Sequence, residues 1–164
     1  MGKGVGMSMT AFGRMAYKMK AKMSEQDADA GGTPHGWIAN QARAILVVED
    51  ESSIRRLLVS LLSPEGYRIE SVADGTLALR ILEDDPGIEL VLTDLSMPGI
   101  PGTVVAEQVA MSRPEVKVVC MSGNPEAHES GLRRLLERRL VDFLPKPFTP
   151  SQVLQIVKRL MEKR

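Results

Sequence analysis

One stretch of this chain decides its fold: Leu90-Val91-Leu92-Thr93-Asp94-Leu95-Ser96-Met97-Pro98-Gly99. It begins as an apolar run, which predicts a buried strand, and it ends in residues that favour a turn. Asp94 stands at the point where the predicted strand leaves the core. A carboxylate in that position lies on the rim of a sheet, where open α/β folds bind their ligands.

Two more apolar runs end in charged residues. Ile45-Leu46-Val47-Val48 is followed by Glu49-Asp50-Glu51, and Val141-Asp142-Phe143-Leu144 is followed shortly by Lys146-Pro147. Carboxylate oxygens suit a hard cation such as Mg²⁺, and a lysine ammonium binds phosphoryl oxygens as a point charge. The sequence therefore predicts a site for a hard cation and a phosphoryl group at the strand ends.

Strand and helix patterns alternate from residue 44 onward. Strands are predicted near 44–48, 67–72, 89–93, 116–121 and 141–144, each followed by a helix. Five such units with short connections imply a parallel sheet with helices on both faces. The second and fifth strands are the least apolar, so we expect them at the edges. The predicted class is α/β, a flavodoxin-like doubly wound (βα)5 fold with strand order 2-1-3-4-5, whose switch point lies between strands 1 and 3.

Apolar stripes predict which residues of the helices face the core. In the first helix, capped by Ser52 or Ser53, the stripe comprises Ile54, Leu57, Leu58, Leu61 and Leu62. In the fourth, predicted over 125–139, it comprises Leu132, Leu135 and Leu136. The last helix is expected to begin with Thr149 or Ser151 as its cap.

Residues 1–43 differ from the rest of the chain. Six of the ten methionines fall in the first 23 positions, and residues 1–24 carry five basic side chains and no acid. The following stretch, Glu25 to Pro34, is polar and rich in small residues, a composition typical of a flexible linker. We expect an N-terminal tail and linker over 1–43.

Composition excludes several classes of protein. The 21 basic and 21 acidic residues balance, so no nucleic acid partner is expected. A lone cysteine, Cys120, fits a reducing compartment. No apolar run approaches the roughly 20 residues needed to span a bilayer, and no secretory signal is evident. We expect a cytoplasmic protein without a membrane span.

Four motifs, each at a strand end, resemble those of the receiver domain of two-component response regulators. They are Val47-Val48-Glu49-Asp50-Glu51, Thr93-Asp94-Leu95-Ser96-Met97-Pro98-Gly99, Met121-Ser122-Gly123 and Phe143-Leu144-Pro145-Lys146-Pro147-Phe148. The resemblance covers about residues 43–163. It implies a receiver domain over 44–164 after the tail.

The resemblance also implies a role for each site residue. Asp94 would accept a phosphoryl group from a histidine kinase or a histidine phosphotransfer protein, and Lys146 and Ser122 would contact that group. Pro147 would follow a cis peptide bond. A Mg²⁺ ion would be held by Glu49, Asp50, Asp94 and the backbone carbonyl of Ser96.

In receivers of this kind, phosphorylation changes a binding surface. Ser122 and Phe143 would form the switch, and the face of the fourth helix, fifth strand and fifth helix would bind a downstream protein. Such a module catalyses only its own phosphorylation and dephosphorylation, so we expect no other enzymatic activity. The resemblance implies a bacterial phosphorelay protein, either a monomer or a phosphorylation-linked dimer.

Three other functions compete with this one. The chain could be the detached receiver portion of a hybrid sensor kinase, which would carry the same motifs. A haloacid-dehalogenase-like phosphotransferase needs a second aspartate two positions after the first, where Ser96 stands. A flavodoxin-like cofactor binder needs a phosphate-cradling loop after the first strand, where Glu49-Asp50-Glu51 would repel an anion.

Overall fold

The computed structural model describes residues 43–162, with the backbone alone for 127–129. The tail predicted over 1–43 lies, apart from Arg43, outside the described residues. Five strands and five α-helices alternate: β1 (Ala44–Val48), α1 (Ser52–Leu62), β2 (Arg68–Val72), α2 (Gly75–Asp84), β3 (Ile88–Asp94), α3 (Gly102–Ser112), β4 (Lys117–Ser122), α4 (Glu129–Glu137), β5 (Asp142–Pro145) and α5 (Pro150–Glu162). Short 3-10 turns span Ser63–Glu65 and Pro125–His128.

All strand pairings are parallel, and the order is β2-β1-β3-β4-β5. The predicted fold class and strand order are thus confirmed. Val48, the last residue of β1, pairs with Val72 and with Thr93. The carboxyl ends of β1 and β3 therefore lie level with each other at the switch point.

The burial of each strand follows from its position in the sheet. All five residues of β1 are buried, whereas β2 is mostly half-buried, as expected for an edge strand. Helices cover both faces and form two hydrophobic cores. The first core lies between the sheet and α2, α3 and α4. The second core lies between the opposite face of the sheet and α1 and α5. Cys120 is fully buried in the first core, and this burial raises the pKa of its thiol to about 12.

Of the two predicted helix caps, one is confirmed and one is wrong, and Asp74 caps α2 in addition. The Asp74 carboxylate accepts the N–H of Leu77 at 2.9 Å. Thr149 caps α5, since its hydroxyl accepts the N–H of Gln152 while the Gln152 side chain accepts the N–H of Thr149. In α1 the cap position belongs to Glu51, which makes no side-chain capping bond, so the expected serine cap is wrong.

The predicted stripes are too wide in two helices. Leu58 and Leu62 are fully buried, each worth about 1.5–3 kcal/mol of burial. Leu57 is 41% exposed and Leu136 is 38% exposed, so neither faces the core as expected. The fourth helix is also shorter than predicted, because its first turn is a 3-10 turn and the left-handed residue Arg139 lies just beyond its end.

Within residues 43–162, no helix is both long and apolar enough to cross a bilayer.

Candidate functional site

The strand ends bring the predicted charged residues to one edge of the sheet. Glu49 and Asp50 follow β1, and Asp94 is the last residue of the neighbouring β3. Ser122 ends β4, and Lys146 follows β5 directly. Because the strands are parallel, their carboxyl ends meet on the same rim.

Three carboxylates lie close enough to share one cation. Glu49, Asp50 and Asp94 each offer an oxygen, and these oxygens lie within 4.8 Å of one another. Glu49 is 0% exposed and Asp94 is 5% exposed, whereas Asp50 is open to solvent. A cluster of carboxylates with one open side fits Mg²⁺, which prefers oxygen ligands and retains several waters.

Lys146 connects two of these carboxylates. Its Nζ donates to Glu49 Oε2 at 2.8 Å and to Asp94 Oδ2 at 2.9 Å. Burial lowers the pKa of the Lys146 ammonium, but its bonds to Glu49 and Asp94 outweigh burial and leave that pKa raised. For the Glu49 carboxyl, burial is the largest influence and raises the pKa, as does the charge of Asp94. Lys146 lowers that pKa, but it remains raised. A single ammonium therefore faces two crowded carboxylates.

The backbone around Asp94 is held on several sides. The N–H of Ser96 donates to Asp94 Oδ1 at 3.1 Å, and the N–H of Leu95 donates to the carbonyl of Met121 at 2.9 Å. Gly102, at the start of α3, packs so tightly that a Cβ there would lie 1.9 Å from the Asp94 carbonyl oxygen. Sequence reasoning missed Gly102, because a close approach that depends on the absence of a side chain leaves no pattern along the chain.

Ser122 and Lys146 are joined through the backbone. The Ser122 carbonyl accepts the N–H of Lys146 at 2.8 Å, and its buried hydroxyl oxygen accepts the N–H of Asn124 at 3.0 Å. The peptide bond between Lys146 and Pro147 is cis. Phe143, in β5, is half-buried against the first core.

Arg55 is a further residue that sequence reasoning missed. This arginine lies in the first turn of α1, and its Nη1 donates to the carbonyl oxygens of Glu49 at 2.5 Å and Asp50 at 3.1 Å. An arginine on the solvent side of an apolar stripe gives no sequence signal for such a contact. It holds the turn that carries two of the three carboxylates.

Residues 45–158 match the family model of the response regulator receiver domain. Among curated proteins, the sensor kinase CckA of Brucella abortus (strain 2308) is 31% identical over 146 residues, which cover 88% of this chain and 14% of the kinase. The two-component response regulator ORR5 of Oryza sativa subsp. japonica is 30% identical over 143 residues, which cover 86% of this chain and 98% of the regulator. The chain thus spans a small part of the kinase and nearly all of the rice protein.

Solved structures show the same similarity. The receiver domain of NtrX from Brucella abortus is 32% identical with a TM-score of 0.63, covering 73% of this chain and 99% of that domain. A CheY-like response regulator receiver domain protein from Methanospirillum hungatei JF-1 is 27% identical with a TM-score of 0.66, covering 73% of this chain and 94% of that protein.

Proposed function

Because this chain belongs to the response regulator receiver domain family of two-component signalling, we propose that Asp94 is its phosphoacceptor. The observation that carries the proposal is the position of the Asp94 carboxylate, which lies within 2.9 Å of the Lys146 ammonium and beside Glu49 and Asp50. The donor would be a phosphohistidine on a histidine kinase or a histidine phosphotransfer protein.

In the proposed step, an Asp94 carboxylate oxygen attacks phosphorus and forms an oxygen–phosphorus bond. The phosphorus–nitrogen bond of the donor breaks, and its electron pair goes to the imidazole nitrogen, which then takes a proton. The transition state spreads negative charge over the phosphoryl oxygens, so positioned cations accelerate the transfer. Lys146 supplies one such cation, and the buried Ser122 hydroxyl stands at the adjacent strand end to donate a hydrogen bond.

Receiver domains bind Mg²⁺ at an acidic pocket, and the donor set here fits that ion. Glu49, Asp50 and Asp94 would hold it through carboxylate oxygens, and Ser96 through its backbone carbonyl. When bound, Mg²⁺ neutralises carboxylate and phosphoryl charge. Glu49 and Asp94 would then no longer depend on Lys146 alone for their counter-charge.

The proposal has a direct test. Incubation with acetyl phosphate and Mg²⁺ should add one phosphoryl group to the wild-type chain, as measured by intact-mass spectrometry. Asp94→Asn should abolish the addition, because an amide oxygen is a poor nucleophile. Asp84→Asn is the matched control, since Asp84 is an exposed carboxylate at the far end of α2. Equal labelling of the Asp94 and Asp84 variants would contradict the assignment.

We further propose that phosphorylation changes the face formed by α4, β5 and α5. Ser122 would turn toward the phosphoryl group, and Phe143, which is half-buried beside this face, would move into the vacated space. Labelled protein should show altered amide hydrogen exchange in α4 and β5. Phe143→Ala should keep the labelling and lose that change, whereas Tyr67→Ala, which removes a half-buried aromatic from the second core, should keep both. An unchanged exchange response in Phe143→Ala would contradict the switch.

These roles describe a signalling module in the cytoplasm that catalyses only its own phosphorylation and dephosphorylation. The proposed downstream partner is a protein bound at the α4–β5–α5 face, with no direct contact to nucleic acid, and the chain acts as a monomer or a phosphorylation-linked dimer.

A second candidate is supported by the similarity to the sensor kinase CckA. The chain would then be a detached receiver portion of a hybrid sensor kinase. Phosphotransfer from a panel of the organism's kinases and phosphotransfer proteins distinguishes the two, because a hybrid-type receiver should exchange phosphoryl groups fastest with a phosphotransfer protein.

A further inference from the structure

Arg55 closes the turn between β1 and α1. Its backbone N–H donates to the Glu51 carbonyl at 2.9 Å, which starts the helix. Its side chain folds back over the turn, and Nη1 donates to the carbonyls of Glu49 and Asp50 at 2.5 and 3.1 Å. The two peptide groups that precede and follow the Asp50 Cα are therefore fixed by one guanidinium.

The helix itself gains little from an arginine at this place. A cation in the first turn opposes the positive end of the helix macrodipole. Glu51, at the cap position, makes no side-chain capping bond to offset this. The contact with the two carbonyls is thus the favourable interaction that this side chain makes.

The three carboxylates of the rim differ in their burial and in the hydrogen bonds that hold them. Glu49 is buried and bonded to Lys146, and Asp94 is buried and bonded to Lys146 and to the N–H of Ser96. Asp50 is exposed, and within residues 43–162 its carboxylate makes no hydrogen bond or ion pair. Its position depends on its backbone, which Arg55 holds.

We propose that Arg55 is a positioning residue for the metal site, which fixes the backbone of Asp50 so that its carboxylate converges with those of Glu49 and Asp94. This inference rests on the proposed function, since it assumes a cation at the rim. Groups that orient metal ligands without touching the metal typically change metal affinity by about 10–100-fold when removed.

The direction in which Mg²⁺ affinity changes when Arg55 is removed distinguishes a positioning role from a purely electrostatic one. Removing a positive charge near a cation site would, through space alone, tighten cation binding. Removing a residue that orients a ligand weakens it. Arg56 supplies the matched control, because it is the adjacent arginine, is exposed, and its side chain makes no hydrogen bond or ion pair within residues 43–162.

The test is Mg²⁺ titration of the full chain by calorimetry, with no phosphoryl donor present. Arg55→Ala should raise the Mg²⁺ Kd about tenfold, and Arg56→Ala should leave it within about twofold because salt screens an exposed charge. Arg55→Lys keeps the charge with a poorer fit to two carbonyls, and should raise the Kd by about threefold. The rate of labelling by acetyl phosphate at saturating Mg²⁺ should stay near that of the wild-type chain in Arg56→Ala, whose side chain lies outside the proposed site.

Unchanged or tighter Mg²⁺ binding in Arg55→Ala, with normal binding by the wild-type chain, would overturn this inference and leave the proposed function intact. Absence of Mg²⁺ binding by the wild-type chain would instead count against the proposed function. Should Arg55→Ala fail to fold, the comparison of Arg55→Lys with Arg56→Ala decides, and equal Kd values for these two overturn the inference.

Discussion

Lys146 donates to two buried carboxylates at once, so the stability of this edge of the sheet should depend on it. Removing one partner of a buried ion pair leaves an uncompensated charge in a poorly solvated place. Lys146→Met should therefore lower the free energy of unfolding of the metal-free chain by about 3 kcal/mol at neutral pH. Lys158→Met, which breaks an exposed ion pair with Glu65, should cost less than about 1 kcal/mol.

The pH dependence of Lys146→Met follows from Glu49. The pKa of its carboxyl is raised in the folded chain, chiefly by burial, so the folded state retains this proton more readily than the unfolded state. Stability from Glu49 is present below the unfolded pKa and is lost as pH rises through the raised folded pKa. Without Lys146, the Glu49 carboxylate destabilises the folded chain more strongly once it is ionised. The free energy of unfolding of Lys146→Met should therefore approach that of the wild-type chain as the pH falls from 7 to 5. Urea denaturation across this range measures it, and a deficit that widens at low pH would contradict the argument.

Among single residues, the sequence predicts those whose chemistry is visible in their type and position. Each of four such residues stands at or just after the end of a strand, and the parallel topology brings them together: Asp94, Glu49, Asp50 and Lys146. Arg55 and Gly102 could not be identified in this way. The first acts through backbone carbonyls and the second through the absence of a side chain, and neither property leaves a pattern along the chain.

Between elements, the contact of α3 with the end of β3 depends on Gly102. A Cβ there would lie 1.9 Å from the Asp94 carbonyl oxygen, so α3 or the loop before it must shift. Gly102→Ala should lower the free energy of unfolding by about 1–3 kcal/mol, the usual cost of overpacking, and should slow labelling of Asp94. Urea denaturation and intact-mass kinetics measure the two effects.

Gly131, in α4, is the control for Gly102. A Cβ there would make only ordinary contacts, at 3.5 and 3.6 Å, with the Thr103 side chain. Gly131→Ala should therefore stabilise the chain by about 0.5–1 kcal/mol through helix propensity. Opposite signs for the two variants are the expected result, and destabilisation of similar size in both would show that helix geometry, not the approach to Asp94, is responsible.

At the level of elements, helix stripes were predicted less accurately than strands. Every residue of β1 is buried, so an apolar run alone identifies it. Successive residues of a helix are offset by about 100° around its axis. A stripe of five leucines and isoleucines is therefore wider than the part of the helix surface that contacts the sheet. Leu57 and Leu136, at the margins of their stripes, consequently lie at the surface. Which margin is exposed depends on how each helix is rotated against the sheet, which periodicity does not specify.

For the whole domain, the predicted strand order determines where the site lies. Once β1 and β3 are neighbours at the centre of the sheet, their carboxyl ends form the crevice of the switch point. The least apolar strands lie at the edges, as expected, because only one side of an edge strand pairs with a neighbour. The pattern of apolar residues along the strands therefore predicts the location of the candidate site independently of the motifs.

Because the three carboxylates come from the two central strands, Mg²⁺ should stabilise the entire cooperative unit. Ligand binding to the folded state alone adds about 2.7 kcal/mol at a concentration of 100 times the Kd. The Tm of the wild-type chain should accordingly rise with Mg²⁺ and return with a chelator. Asp50→Asn should lose most of this rise, yet keep the stability of the metal-free chain within about 0.5 kcal/mol, since the exposed Asp50 carboxylate makes no hydrogen bond or ion pair within residues 43–162. Asp84→Asn should respond to Mg²⁺ as the wild-type chain does. A full Mg²⁺ response in Asp50→Asn would mean that the cation binds elsewhere, because a ligand contributes to stability only through the groups that hold it.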